Sequence, residues 1–227
     1  MTSATETDVA ADVGDRVAKC DKLTQGRELN LADLELQHVP PIVLGFSTLV
    51  KLNLRHNHLS SLPIDLVESV PLLEVLNVAE NALTNLPPDI GGLPRLRQLF
   101  AQANRLRSLP LSLMSCSKLQ ELYVQHNAIR DVPDEFAHLT SLSVLSLAQN
   151  DLVYLPKSLN SLQNLKVVDL SGNAGLATAP ELLRRLHEKN LVLHSKEKRR
   201  ELITRALKVK TAVAAALKKQ AREIAKG

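Results

Sequence analysis

Apolar residues recur along this chain in one frame. A leucine or its substitute stands eight, five and three positions before a reference position, and two and five positions after it. The reference position is asparagine in six units: Asn57, Asn81, Asn104, Asn127, Asn150 and Asn173, spaced by 24, 23, 23, 23 and 23 residues. The frame is plain in Leu49-Leu52-Leu54-Asn57-Leu59-Leu62 and in Leu119-Leu122-Val124-Asn127-Ile129-Val132. Proline follows at the sixth position in five units, as Pro63, Pro87, Pro110, Pro133 and Pro156. A further apolar residue comes three positions later, as Leu66, Ile90, Leu113, Phe136 and Leu159. A fixed period of this length predicts a stack of identical supersecondary units.

Side chains on a strand alternate faces, so the two residues of each L-x-L pair point inward from a short strand and the x positions point outward. The asparagine stands where the chain turns in from the strand. Its carboxamide both donates and accepts, so it can satisfy backbone groups that the turn would otherwise bury unpaired. Proline lacks an N–H and fixes φ, so the outer segment cannot extend the sheet and returns as extended or short helical backbone.

The frame also predicts two units without the asparagine. Counting 23 back from Asn57 reaches Leu34, with Leu29, Leu31, Leu36, Val39 and Pro40 at the expected offsets. Counting 23 forward from Asn173 reaches Lys196, with Leu191 and Leu193 as the inward pair. Eight strands are therefore expected, the terminal ones atypical, as repeat stacks require. The unit from Asn57 to Asn81 carries one extra residue near Val70-Pro71, expected on the outer surface, and Gly175 shifts the frame so that Leu176 takes the usual leucine's place.

The unit L-x-x-L-x-L-x-x-N-x-L-x-x-L-P-x-x-h, across about residues 26–194, resembles the 23-residue leucine-rich repeats of cytosolic proteins of the Ras-suppressor and plant intracellular Ras-group-related type. The resemblance implies an α/β solenoid, a leucine-rich-repeat horseshoe with about eight short parallel strands on its concave face, and a role in binding proteins. It leaves the partner open, because one scaffold serves many.

The ends of such a stack need covers. Val9, Val13, Val17 and Cys20 recur at helical spacing and predict an N-terminal capping helix over residues 9–25, behind a disordered tail over 1–8. After the last strand, Ser195 is a suitable N-cap for a helix over 195–227. Residues 194–227 hold eleven lysines and arginines against three glutamates, a net +8 in a chain of net +4, which leaves −4 for residues 1–193. Lys198, Arg199, Arg200, Arg205, Lys208, Lys218, Lys219 and Arg222 would form a basic face, either the solvated side of a solubilising cap or a surface suited to an acidic partner, RNA or an acidic protein surface. That segment has no aromatic residue for base stacking and no Trp or Phe anchor, so membrane binding is not expected.

The second candidate surface is the concave face. Four residues before the reference position runs the column Asn30, Asn53, Asn77, Phe100, Tyr123, Ser146, Asp169, so two of the five aromatics of the chain fall side by side. Around this pair Gln98, Gln102, Gln125 and Asn77 form an amide-rich rim, with Arg55, Glu121 and His126 further out. Aromatic anchors inside a polar rim are the composition of a protein-binding hot spot. A cross-strand pair that merely stabilises the sheet is the simpler alternative.

Chemistry-bearing motifs are lacking. The eight glycines form neither G-x-x-x-x-G-K nor G-x-G-x-x-G, and His56-x-His58 is the one close histidine pair, so no catalytic residue, metal site, cofactor or small-molecule substrate is expected. Cys116 falls on an apolar frame position, and Cys20 on the capping-helix stripe. Without cysteine clusters or a signal-like N-terminus, the expected location is a reducing one, the cytoplasm. Two functions remain: an adaptor that binds a protein on the concave face, or a structural subunit of a cytoskeletal, ciliary or ribonucleoprotein assembly anchored through the basic segment.

Overall fold

A computed structural model describes residues 6–178 and 192–193, all within one compact unit, Met1–Leu193. The eight L-x-L segments form one eight-stranded parallel sheet in sequential order: β1 (Glu28–Asn30), β2 (Lys51–Asn53), β3 (Val75–Asn77), β4 (Gln98–Phe100), β5 (Glu121–Tyr123), β6 (Val144–Ser146), β7 (Val167–Asp169) and β8 (Val192–Leu193). The register follows the sequence period: Leu29, Leu52, Leu76, Leu99, Leu122, Leu145 and Val168 stand opposite one another. All of them are at most 2 % exposed, so β1 to β7 each turn one apolar side chain into one continuous core.

The outer segments are single 3-10 turns that begin just after the frame proline, such as Leu111–Ser115, Asp134–His138 and Lys157–Ser161. In these units the carbonyls of Pro110, Leu113 and Cys116 accept from backbone groups three residues on. The unit with the extra residue differs. There the steps run Pro63 to Leu66, Leu66 to Val70 and Val70 to Leu73, and the four-residue step makes a true helical turn, α2 (Leu66–Ser69). The insertion is absorbed on the outer surface in two i→i+4 bonds, Ser69 to Asp65 and Val70 to Leu66, and the sheet register continues undisturbed from Lys51 to Val75.

The N-terminal helix, α1, spans Glu6–Thr24. It starts three residues before the start that the valine spacing suggested, because Glu6, Thr7 and Asp8 extend the helix without adding to the apolar stripe. Val9, Val13 and Val17 pack against the core, and Cys20 is buried at the stack's open end. The Thr24 hydroxyl donates to the Cys20 carbonyl at 2.8 Å and accepts from the Glu28 N–H at 3.1 Å, joining the helix to β1.

The last strand sits two residues later than the period suggests. Val168 pairs with Leu193 and Val167 with Val192, a separation of 25 residues where the frame put Leu191 opposite Val168. The 3-10 turn Ala174–Thr178 follows β7, and residues 179–191 before β8 lie outside the described residues.

Each asparagine turn has one geometry. The residue before the ladder position has a left-handed backbone in seven successive units: Asp33 (φ 60), His56 (54), Glu80 (56), Ala103 (54), His126 (57), Gln149 (54) and Gly172 (75). Its N–H then reaches the carbonyl of the next unit, as in His126 to Ala148 at 2.9 Å. Left-handed backbone costs an ordinary residue about 1 kcal/mol, and the asparagine bonds hold it there. Asn127 donates to the carbonyls of Ala101 (3.0 Å), Val124 (3.0 Å) and Gln125 (3.4 Å), and accepts from the Leu106 N–H at 2.9 Å. Asn81, Asn104 and Asn150 make the same four bonds. Asn57 accepts from both Leu34 and Leu36, and Asn173 from Leu152. Each side chain thus ties its own turn to the preceding unit.

Candidate functional site

The concave column four residues before the ladder begins with a structural rule. Asn30, Asn53 and Asn77 each accept, through the side-chain oxygen, the backbone N–H two residues on, at 3.1 Å. Asp169 does the same for Ser171 at 3.1 Å. Asn53 also donates to the Asn30 side chain at 3.0 Å, so this end of the column forms a second, shorter amide ladder. Such Asx turns satisfy the backbone where the strand ends.

At β4, β5 and β6 the rule is broken, and Ser146 on β6 makes no such bond to the Ala148 N–H. Phe100 and Tyr123 occupy the same column and offer no acceptor to the N–H groups of Gln102 and Gln125. Their rings stack with centroids 5.0 Å apart and planes 5° from parallel, a distance set by the spacing of neighbouring strands. Stacking contributes about 0.5–1.5 kcal/mol beyond area, and each forfeited turn bond withdraws about 0.5–1.5 kcal/mol. One stack is set against two forfeited bonds, about 1–3 kcal/mol together, so sheet stability alone does not account for an aromatic pair where asparagine or aspartate serves at four other strands. Local departures of this kind are where function is expected.

Polar groups surround the pair. Glu121 accepts from Gln98 Nε2 at 2.9 Å through one oxygen and from the Tyr123 hydroxyl at 3.1 Å through the other. Burial holds the Tyr123 phenol well above its usual range, and the neighbouring Glu121 charge and its hydrogen bond act in the same direction. Gln125 is 9 % exposed, and the side-chain oxygens of Gln102 and Gln125 are buried without a donor. Asn77 flanks Phe100 in register on β3.

Arg55 and His126, expected further out than the amide rim, lie away from the stacked rings. Arg55 contacts Glu80 Oε1 through Nε (3.0 Å) and Nη2 (2.8 Å), so its charge is matched within the sheet surface. His126 stands exposed on the left-handed turn after β5, outside the strand columns. Lys51 is paired with Glu28 at 2.6 Å, and Arg97 with Glu74 at 3.4 Å. Glu121, in contrast, has only uncharged donors among the described residues. Sequence reasoning found the aromatics and glutamines from the period, but missed the turn bonds that they displace; the run Asn30, Asn53, Asn77 was the available signal.

The remaining aromatics lie where the frame put them. Phe136 is fully buried, Phe46 is half-buried against the core, and Tyr154 is exposed on an outer loop. Cys116 is buried, its Sγ lies 3.5 Å from the Ile90 carbonyl, and burial pushes its thiol up to about 11. No group of three or more His, Cys, Asp or Glu side chains is placed to hold a metal ion among the described residues. Nor is any described helix long and apolar enough to cross a membrane. The basic residues Lys198, Arg199, Arg200, Arg205, Lys208, Lys218, Lys219 and Arg222, and the helix expected over 195–227, lie outside the described residues.

A solenoid of parallel strands, asparagine turns and short outer helices is the architecture of a leucine-rich repeat. The leucine rich repeat family model matches residues 47–106, 102–152 and 117–174, together more than half of the chain, and the chain belongs to that family. Proteins built from these repeats generally act by binding other proteins. Among curated relatives, osteomodulin of Rattus norvegicus is 36% identical over 87 residues, 38% of this chain and 19% of that protein. Osteomodulin of Bos taurus is 35% identical over 83 residues, 37% of this chain and 18% of that protein. The chain thus aligns with about a fifth of these relatives' length. A solved leucine-rich-repeat protein of Leptospira interrogans is 32% identical with a TM-score of 0.67, over 74% of this chain and 42% of that one.

Proposed function

We propose that this chain is a non-enzymatic scaffold or adaptor of the cytoplasm that binds a protein partner on its concave sheet, centred on Phe100 and Tyr123. The observation that carries the reading is the interrupted Asx column: two aromatic side chains replace turn-forming asparagines at adjacent strands. Stacked rings supply rigid contact area, and Gln98, Gln102, Gln125 and Asn77 supply orientation at the rim. The cytoplasmic location is favoured by two cysteines, both free and buried, in a repeat protein with no cysteine-rich caps.

A second reading makes the chain a structural subunit of a large assembly, cytoskeletal, ciliary or ribonucleoprotein, held through an acidic partner of the C-terminal segment. The segregation of +8 into residues 194–227 favours it. Two full-length variants separate the readings by recovery of partners from cell extract. One is Phe100→Ala with Tyr123→Ala; the other is Arg205→Glu, Lys208→Glu, Lys218→Glu and Arg222→Glu. Loss of partners in the first alone supports the adaptor, and loss in the second alone supports the assembly subunit. Full recovery with both variants sinks both readings.

A further inference from the structure

We infer that the concave site selects an arginine side chain of its partner, seated as a third plane on the exposed side of the Phe100–Tyr123 stack; this rests on the reading of that patch as the partner-binding surface. Phe100 covers one face of Tyr123. The other face looks along the sheet to β6, where Val144, Ser146 and Ala148 stand in the three matching columns. These side chains are shorter than the Tyr123 ring, and Ser146 and Ala148 are buried. A flat group stacked on the outer face of the ring would stand above them, one strand spacing along the sheet.

Charge and hydrogen bonding choose which flat group. Glu121 lies at one end of the Tyr123 ring and accepts only from Gln98 and the Tyr123 hydroxyl, both uncharged. The nearby cations Lys51 and Arg55 are committed to Glu28 and Glu80. On the same strand as Tyr123, Gln125 has a buried carboxamide oxygen with no donor among the described residues. Among those residues the site therefore lacks one positive charge and one donor. A guanidinium supplies both: it stacks on an aromatic face and carries five N–H donors in one plane. An ammonium would supply the charge without the plane, and a neutral planar amide would supply the plane without the charge.

The test is a nuclear magnetic resonance titration of the full-length protein with the acetylated, amidated tripeptide Gly-Arg-Gly, beside the same peptide carrying citrulline or lysine. The expected result is saturable shifts of the Gln102 and Gln125 side-chain amides and the Tyr123 ring with the arginine peptide. The citrulline and lysine peptides should bind at least about fivefold more weakly. Glu121→Gln, which keeps the shape of the side chain and one of its two accepting oxygens, should also weaken the arginine peptide about fivefold or more. Equal binding of the citrulline peptide, no effect of Glu121→Gln, or shifts confined to other residues would overturn the inference. If the arginine peptide fails while Phe100→Ala with Tyr123→Ala still abolishes partner recovery, the concave surface stands and only its arginine preference falls. If the double variant also recovers every partner, the surface itself is wrong.

Discussion

Replacing Asn127 by alanine tests how the asparagine turns hold the stack, and its cost follows from counting who loses a partner. The substitution removes three donated bonds and one accepted bond. The three carbonyls are not left empty, however. Ala101 O still accepts from Asn104, Val124 O from Asn150, and Gln125 O from the Ala103 N–H. The Leu106 N–H is different, because the Asn127 oxygen is its acceptor and Leu106 is fully buried. One buried orphan donor costs about 1–3 kcal/mol, and the shared bonds add a fraction of their usual 0.5–1.5 kcal/mol each. The expected loss is about 2–4 kcal/mol in equilibrium urea unfolding followed by circular dichroism, with the Leu106 amide losing its protection from hydrogen exchange. Asn85→Ala, at an exposed side chain bonded to Thr84, serves as the control and should change stability by less than about 0.5 kcal/mol. A cost below about 1 kcal/mol for Asn127→Ala, or a Leu106 amide still protected, would refute the assigned role of the ladder.

Other substitutions test separate parts of the fold. Ala103 has φ 54, so Ala103→Gly should raise stability by about 0.5–1 kcal/mol in the same unfolding assay. Gly172→Ala should lower it, since φ is +75 and the new Cβ would meet the Gln149 side chain at 2.1 Å. Phe136→Ala empties a fully buried site and should cost about 3–5 kcal/mol. The Cys116 thiol, raised from 9.0 to about 11, should resist a disulfide reagent at pH 8 until the protein unfolds. Because the unfolded state gives up that proton first, Cys116 should make stability fall between about pH 9 and 11, a slope that Cys116→Ser abolishes.

The period in the sequence located the strands, their inward leucines and the ladder asparagines, because burial on one side of a repeating unit leaves little freedom in residue type. The left-handed turns were not legible. Six of the seven positions hold Asp, His, Glu, Ala, His and Gln, with no shared preference for such a backbone, since the asparagine beside them and the inter-unit bonds impose it. The insertion near Val70 was visible as a length, but its conversion of a 3-10 turn into an α turn depends on the hydrogen-bond step from Leu66 to Val70. The two-residue delay of β8 was hidden for a similar reason: no asparagine marks that unit, so the frame count had nothing to anchor it. At the candidate site, the aromatic column could be read from spacing alone. The commitment of Arg55 to Glu80, the placement of His126 on a turn and the donorless oxygens of Gln102 and Gln125 required three-dimensional contacts.

The central claim is that the partner lies over the fourth and fifth strands. Its most direct test is site-specific photo-crosslinking in cells, with a photoreactive phenylalanine analogue placed at position 100 and, separately, at the exposed outer position of Ile64. The account predicts a discrete crosslinked partner from position 100 that is absent from position 64. A partner crosslinked from position 64 with none from position 100 would contradict it.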